Sequence, residues 1–207
     1  MSSAAAGAGG QRGERRREYP PAPWRLRGRA VVVPVPIRVE RARPFVPDDV
    51  QLVAVGGWTA GGILLADYDE TATLSYRELI VFPGLVRSGA RVGMWVSHIV
   101  VDLEASVAGG RDIWGLPKEL ASSAAHLVVA RVRPPRVRLP LPLAPAIFGR
   151  GAGGELLWTA AAGTLRGGPA LARLAVPPQS PLAPLGLDGT WPALAGGRLD
   201  LPFPAPR

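Results

Sequence analysis

One lysine, Lys118, stands among 23 arginines in this chain of 207 residues. The two side chains supply the same charge but not the same chemistry. A guanidinium keeps its proton in proteins, whereas an amine stripped of hydration can give its proton up and become a nucleophile. The count alone is equally met by a leftover solvated lysine. The neighbours add a reason to look further, because Ile113-Trp114-Gly115-Leu116-Pro117 runs directly into Lys118. Apolar groups there would dry the amine, and a dry amine adds to ketones and aldehydes to form an imine. Glu119 follows; in an extended segment it points to the face opposite Lys118, so the two need not share a cavity. Trp114 is read as a wall of the lysine's pocket. His98, in a strand-like run over residues 95–101, is read as a satisfied core or pocket-lining residue rather than a general base. Asp67 and Asp69 flank Tyr68 and are read as ending a strand at a turn, not as a cation site. With no Cys and two His, the chain offers no thiolate nucleophile, no disulfide and no histidine-rich metal site. No metal or cofactor is expected.

Short strands are expected to position these residues. The 26 Gly and 23 Pro interrupt the chain too often for long helices and suit strands joined by turns. Over residues 26–40, Val31, Val33, Val35 and Ile37 alternate at period two, while Pro34 and Pro36 predict an edge or bulged strand. Further strands are predicted over 51–55, 58–68, 76–83, 92–101, 126–133, 136–141, 155–159 and 197–203. Residues 113–120 read as extended through their proline, 106–110 as a loop or short helix stopped by glycines, and 48–50 as one helical turn. Past Pro140 the strand signals fade, and 177–184 reads as an irregular loop. The expectation is a mainly β (β-rich α+β) fold, an antiparallel sandwich or barrel with few short helices. Residues 1–18, rich in small residues and Arg, are expected to form a disordered tail, with one domain over 19–207.

At 47% hydrophobic and 19% charged, the chain can bury a core. Its net charge of +8 invites a nucleic-acid reading. Loss of Lys and Asn together instead fits pressure from a GC-rich genome, since both use codons beginning AA. Outside residues 15–17 and 131–138 the arginines are scattered, with no interleaved aromatic residues to stack bases. Nucleic acid is therefore not an expected partner. A run of ~20 apolar residues, which a membrane-spanning helix needs, is absent from the sequence. The first residues lack the apolar stretch of a secretory signal. No membrane partner is expected, and the expected location is cytoplasmic.

The segment from Gly110-Arg111 to Pro117-Lys118 resembles the Gly-Arg…Pro-Lys segment of the acetoacetate decarboxylase family. Tyr76-Arg77-Glu78 resembles the Tyr-x-Glu segment that supplies that family's active-site glutamate, and Arg27-Gly28-Arg29 falls where the family places an active-site arginine. The resemblance covers residues 24–120. It implies an antiparallel barrel-like fold, a tendency to form homo-oligomers, and a Lys118 imine with a small β-keto acid or related carbonyl compound. Glu78 would orient groups or move a proton, and Arg29 would hold a carboxylate. Tyr76, Trp114, Pro117 and His98 complete the residues expected to contact substrate. Two departures stand out: Glu119 replaces a second lysine of the decarboxylases, and a second site carboxylate of the decarboxylases, which would fall near Ile63, is missing. Residues 23–24, 45–47, 61–62, 65–69, 78–81 and 110–111 are similar to a plant branch of the family associated with neoxanthin deficiency, in which the lysine position is lost. That branch implies the alternative expectation, a non-catalytic binder of a small apolar ligand on the same fold.

Overall fold

The computed structural model describes residues 18–121 and 124–207. The expected tail over 1–18 lies outside the described residues apart from Glu18. In chain order the elements are β1 (Trp24–Arg38), α1 (Val39–Ala42), β2 (Gln51–Leu52), β3 (Trp58–Tyr68), β4 (Tyr76–Phe82) and β5 (Leu85–Ser88). There follow β6 (Arg91–Trp95), β7 (His98–Val101), α2 (Glu104–Trp114), β8 (Lys118–Leu120), β9 (Val129–Arg133) and β10 (Leu139–Leu143). The chain closes with β11 (Ala146–Arg150), β12 (Leu156–Ala160), β13 (Gly163–Ala175) and β14 (Gly189–Phe203). A nine-stranded sheet runs β10-β13-β14-β1-β3-β4-β7-β8, with β9 also paired to β13, and curls into a half-barrel. A five-stranded sheet runs β12-β11-β6-β5-β2. Pairing is antiparallel except for β7 with β8 and β6 with β11. The expected mainly β, barrel-like architecture is the one observed.

Strand periodicity sorts the large sheet's residues onto two faces. On one face Trp24 and Ala30 of β1, Ala66 and Tyr68 of β3, Tyr76 and Ile80 of β4, and Ile99 and Val101 of β7 share one core cluster. Their odd–even partners Val33, Val35, Ile63, Leu79, Val81 and Val100 share another on the opposite face. A one-residue register slip would exchange the faces, so the alternating apolar pattern fixes both cores at once.

The prolines of β1 show how the edge rule works within a single strand. The edge strand expected from Pro34 and Pro36 is instead an inner strand, because β14 pairs with it from Trp24 to Val32. Beyond Val32 only β3 pairs, through Pro34↔Gly62 and Pro36↔Ala60. The proline half is thus locally an edge, and no ladder bond is lost. β10, Leu-Pro-Leu-Pro-Leu, is tolerated for the same reason, since it ends the sheet and pairs only with β13.

Residues 92–101 do not form one strand. They divide at Val96–Ser97 into β6 and β7, which join different sheets. Residues 113–120 are not extended throughout: α2 continues through Gly109 and Gly110 to Trp114. Gly115 then takes a left-handed conformation (φ 61°) as the C-cap, and its N–H bonds Arg111 O at 3.1 Å. That turn releases the chain into β8 two residues later. Among the described residues no helix is long and apolar enough to cross a membrane.

Candidate functional site

Tyr76 and Glu78 are two apart on β4, so both face into the half-barrel, while Arg77 between them points outward to Asp102 (2.7 Å). β8 runs parallel to β7 with Lys118 opposite Ile99, which sends the lysine to the same interior. α2 crosses beside it. Gly110 of α2 is essential to the path of the lysine: a Cβ there would sit 2.4 Å from Lys118 Cδ and 2.6 Å from Cε. The helix also holds β8 in place, since Arg111 Nε donates to the Lys118 carbonyl at 2.7 Å.

The lysine therefore ends in a buried polar knot. Lys118 Nζ donates to Glu78 Oε1 at 2.7 Å, to Ser106 Oγ at 2.9 Å and to the Tyr76 hydroxyl at 3.3 Å. An ammonium has three protons, and three acceptors meet it. Tyr68 OH donates to the other carboxylate oxygen, Oε2, at 2.9 Å. Lys118 is 3% exposed, Glu78 5% and Ser106 0%, so the ion pair sits apart from solvent. Burial, followed by repulsion from the Glu78 charge, raises both tyrosine hydroxyls well above the usual phenol range. Both stay protonated and serve as donors at neutral pH.

The knot forms part of the wall of a cavity of about 360 Å³ inside the half-barrel. Around it stand Trp24, Phe82, Ile99, Trp114, Leu199 and Phe203. The two indoles meet edge to face at 4.8 Å, and Trp114 packs on Phe203 at 5.3 Å. Their N–H groups are committed to backbone carbonyls, Trp24 to Pro20 and Trp114 to Pro204.

Of the residues named from sequence, Lys118, Glu78, Tyr76 and Trp114 come together here. Arg29 does not. It occupies an outward position of β1, its side chain is 78% exposed, and it pairs across the strands with Asp67 at 3.1 Å. Strand alternation gives the inward place to Ala30. Pro117 is exposed and lines an outer groove, while Leu116 reaches the cavity. His98 sits on the other face of β7 against Phe45, its ring centroid 5.9 Å from the phenyl ring. Burial lowers its pKa there. Glu119 is exposed, as alternation requires. Ser106 and Tyr68 went unread in the sequence. The signal for Tyr68 was available, since it lies directly across from Tyr76 in the β3–β4 register. Ser106 had none, because its segment did not read as a helix reaching the lysine.

Gly110→Ala gives a local test. In an ordinary helix interior this change stabilises by about 1 kcal/mol. Here the added methyl meets the lysine stem, so we expect a lower urea midpoint than wild type. An unchanged or higher midpoint would mean that the stem does not cross Gly110.

The acetoacetate decarboxylase family model matches residues 11–133, more than half of the chain. Among curated proteins, NEOXANTHIN-DEFICIENT 1 of Solanum lycopersicum is 33% identical over 103 residues, 50% of this chain and 35% of that protein. The Arabidopsis thaliana protein of the same name is 31% identical over 103 residues, 50% of this chain and 36% of that protein. The matched part of the chain thus spans about a third of the length of these relatives. Among solved structures, acetoacetate decarboxylase of Legionella pneumophila superposes with a TM-score of 0.54 at 18% identity, covering 91% of this chain and 88% of that one. The enduracididine biosynthesis enzyme MppR, complexed with pyruvate, superposes with a TM-score of 0.57 at 12% identity, covering 92% and 91%. At these identities the superpositions speak to the fold alone.

Proposed function

The chain belongs to the acetoacetate decarboxylase family, and from that premise we propose that it is an imine-forming lyase in which Lys118 attacks the carbonyl of a small substrate. The observation that carries this reading is the Lys118–Glu78 pair, 2.7 Å apart, at the wall of a cavity sized for a small molecule. Small-molecule sites enclose ~300–1,000 Å³, and this one lies near the lower end.

The steps follow from the geometry. A proton moves along the short hydrogen bond from Nζ to Glu78 Oε1. Loss of solvent makes that transfer easier, because burial disfavours the separated charges of the ion pair more than the neutral amine and acid. The freed lone pair adds to the carbonyl carbon. Glu78 returns its proton to the carbinolamine hydroxyl, which leaves as water. Two of the ammonium's three protons depart in that water, and the third remains on the iminium nitrogen, opposite a Glu78 carboxylate once more. Charge is the same before and after, so no new buried charge is created. Tyr68, donating to Oε2, holds the carboxylate in place throughout. The iminium then serves as the electron sink for cleavage of a neighbouring carbon–carbon bond.

A second reading has an observation in its favour. All three ammonium protons are satisfied, and the rest of the cavity is apolar, which suits passive binding of an apolar ligand. Borohydride reduction in the presence of a panel of small ketones and aldehydes separates the two. The imine reading expects a covalent adduct on intact protein that maps to Lys118, and none on Lys118→Arg. Saturable ligand binding with no adduct on the wild type would leave the passive binder.

A further inference from the structure

The charges around the cavity narrow the substrate further. Among the 22 residues that line it, the charged ones are Lys118 and Glu78, and they neutralise each other at 2.7 Å. The other polar side-chain group free of a backbone partner is the Tyr68 hydroxyl, which is spent on Glu78. Among the described residues no arginine lines the cavity. Arg25, Arg27 and Arg29 of β1 face outward, to Asp200 and Asp67. From that balance we infer that the substrate is a neutral, largely apolar ketone or aldehyde, enclosed whole with its carbonyl at Lys118 and carrying no carboxylate.

A substrate carboxylate would enter as a second anion beside Glu78, with one cation between them. Burying an ion without a partner is costly, and among the described residues that line this cavity the one cation, Lys118, is already paired with Glu78. After imine formation the imbalance would persist, since the iminium carries one positive charge against two negative ones. A neutral carbonyl keeps the count at zero at every stage. The apolar wall rewards the rest of such a molecule, since each buried CH₂ is favourable on transfer from water. The wall also sets a size limit, because indole and phenyl groups close around about 360 Å³. Loss of carbon dioxide from a keto acid is therefore not the reaction this cavity favours. An iminium on a neutral β-hydroxy carbonyl can instead give its hydroxyl proton to Glu78 and break the bond between its α and β carbons, which releases an aldehyde or ketone and leaves the electron pair in an enamine on Lys118.

This inference rests on the imine reading for its chemistry, but its test can fail separately. Wild-type protein is incubated with 2-octanone or with 2-oxooctanoic acid, which share a chain length and differ in the carboxylate, then reduced with borohydride and weighed intact. Binding of each compound is followed in parallel by fluorescence of Trp24 and Trp114. We expect an adduct of the ketone's mass less one oxygen at Lys118, at least tenfold more abundant than the keto-acid adduct. An adduct from the keto acid in equal or greater amount overturns the inference and leaves imine formation standing. Ketone binding at least tenfold tighter than keto-acid binding, without either adduct, supports the neutral ligand class and removes the enzyme reading. Absence of both binding and adducts overturns both. In a control, Glu78→Gln removes the resident anion, and we expect the keto acid's binding to improve at least tenfold relative to the ketone's. No change in that ratio would count against the charge argument even if the ketone adduct forms.

Discussion

Replacing Lys118 by Met is expected to destabilise the fold by about 3–5 kcal/mol, the usual cost of leaving one member of a buried ion pair behind. The loss is not one of packing, since Met nearly matches the lysine stem in length and fits beneath Trp24 and Tyr76, over whose rings the ammonium now lies at 5.8 and 4.9 Å. It arises because Glu78, 5% exposed, would be left buried without its cation and with phenolic hydroxyls as its donors. The double variant Lys118→Met/Glu78→Gln should recover most of that loss and unfold within about 1 kcal/mol of wild type, since neutral replacements of both partners are often tolerated. Gln still offers Tyr68 an acceptor. Urea unfolding of the wild type, both single variants and the double variant gives the coupling directly. Additive single-variant effects would mean that the pair does not act as a unit. A Lys118→Met protein as stable as the wild type would mean that the interior is wet enough to hold a lone carboxylate.

What the sequence could reveal of this site follows from the range of each signal. Tyr76 and Glu78 were named from the resemblance of their segment to the family's Tyr-x-Glu, and alternation along β4 is what puts them together on one face. The same rule, applied to β1, puts Arg29 outward once Ala30 is known to face inward. The sequence of β1 alone did not say which parity was the inner one, because both parities carry valines. His98 went to the wrong face for the same reason, since Ile99, Val100 and Val101 next to it are all apolar and all buried. In a strand buried on both faces the alternation is silent. Trp114 was found by its neighbourhood, although the helix that carries it was not. Two adjacent glycines, Gly109 and Gly110, argue against a helix on propensity, and each is there because something packs where its Cβ would be. Gly109 meets Trp24 at 2.5 Å and Gly110 meets Lys118 at 2.4 Å. These are tertiary reasons, which no local window contains. Ser106 was missed with that helix.

Of the strands that begin past Pro140, β12 and the end of β14 were read and the rest were not, for a different cause. β13 reads Gly-Thr-Leu-Arg-Gly-Gly-Pro-Ala-Leu-Ala-Arg-Leu-Ala, with few β-branched residues. It is nonetheless a thirteen-residue strand paired on both sides. Its small residues lie against β14, where a Cβ on Gly167 would sit 2.5 Å from the Ala195 carbonyl. Pairing with long neighbours supplies what propensity lacks. Leu165 and Leu199, from these two weakly marked strands, help to close the apolar side of the cavity. The polar residues of the site therefore come from the readable part of the chain, while the apolar wall draws on both parts. That explains how an amine could be found while the neutrality of its surroundings could not.

Because charge is constant across the proposed reaction, Glu78 is the residue with the largest expected kinetic effect after the nucleophile Lys118 itself. Glu78→Gln keeps the shape and the acceptor for Tyr68 but removes the base that takes the ammonium proton. Loss of a positioned acid–base group costs about 10²–10⁴ in rate, and we expect that drop in the rate of borohydride trapping at neutral pH. A merely structural defect could also slow trapping, so the pH profile carries the distinction. In the Gln variant the proton must leave to solvent, and the trapping rate should rise with hydroxide by about tenfold per pH unit until the amine is neutral. The wild type passes the proton 2.7 Å to Glu78 and should show a shallower slope over the same interval. Glu78→Asp retains the charge with a shorter reach and guards against a Gln variant that folds poorly. It should trap faster than Gln and slower than wild type, with the wild-type slope. If Gln and wild type share both rate and slope, the proton does not travel through Glu78, and the carboxylate serves only to hold the ammonium in place.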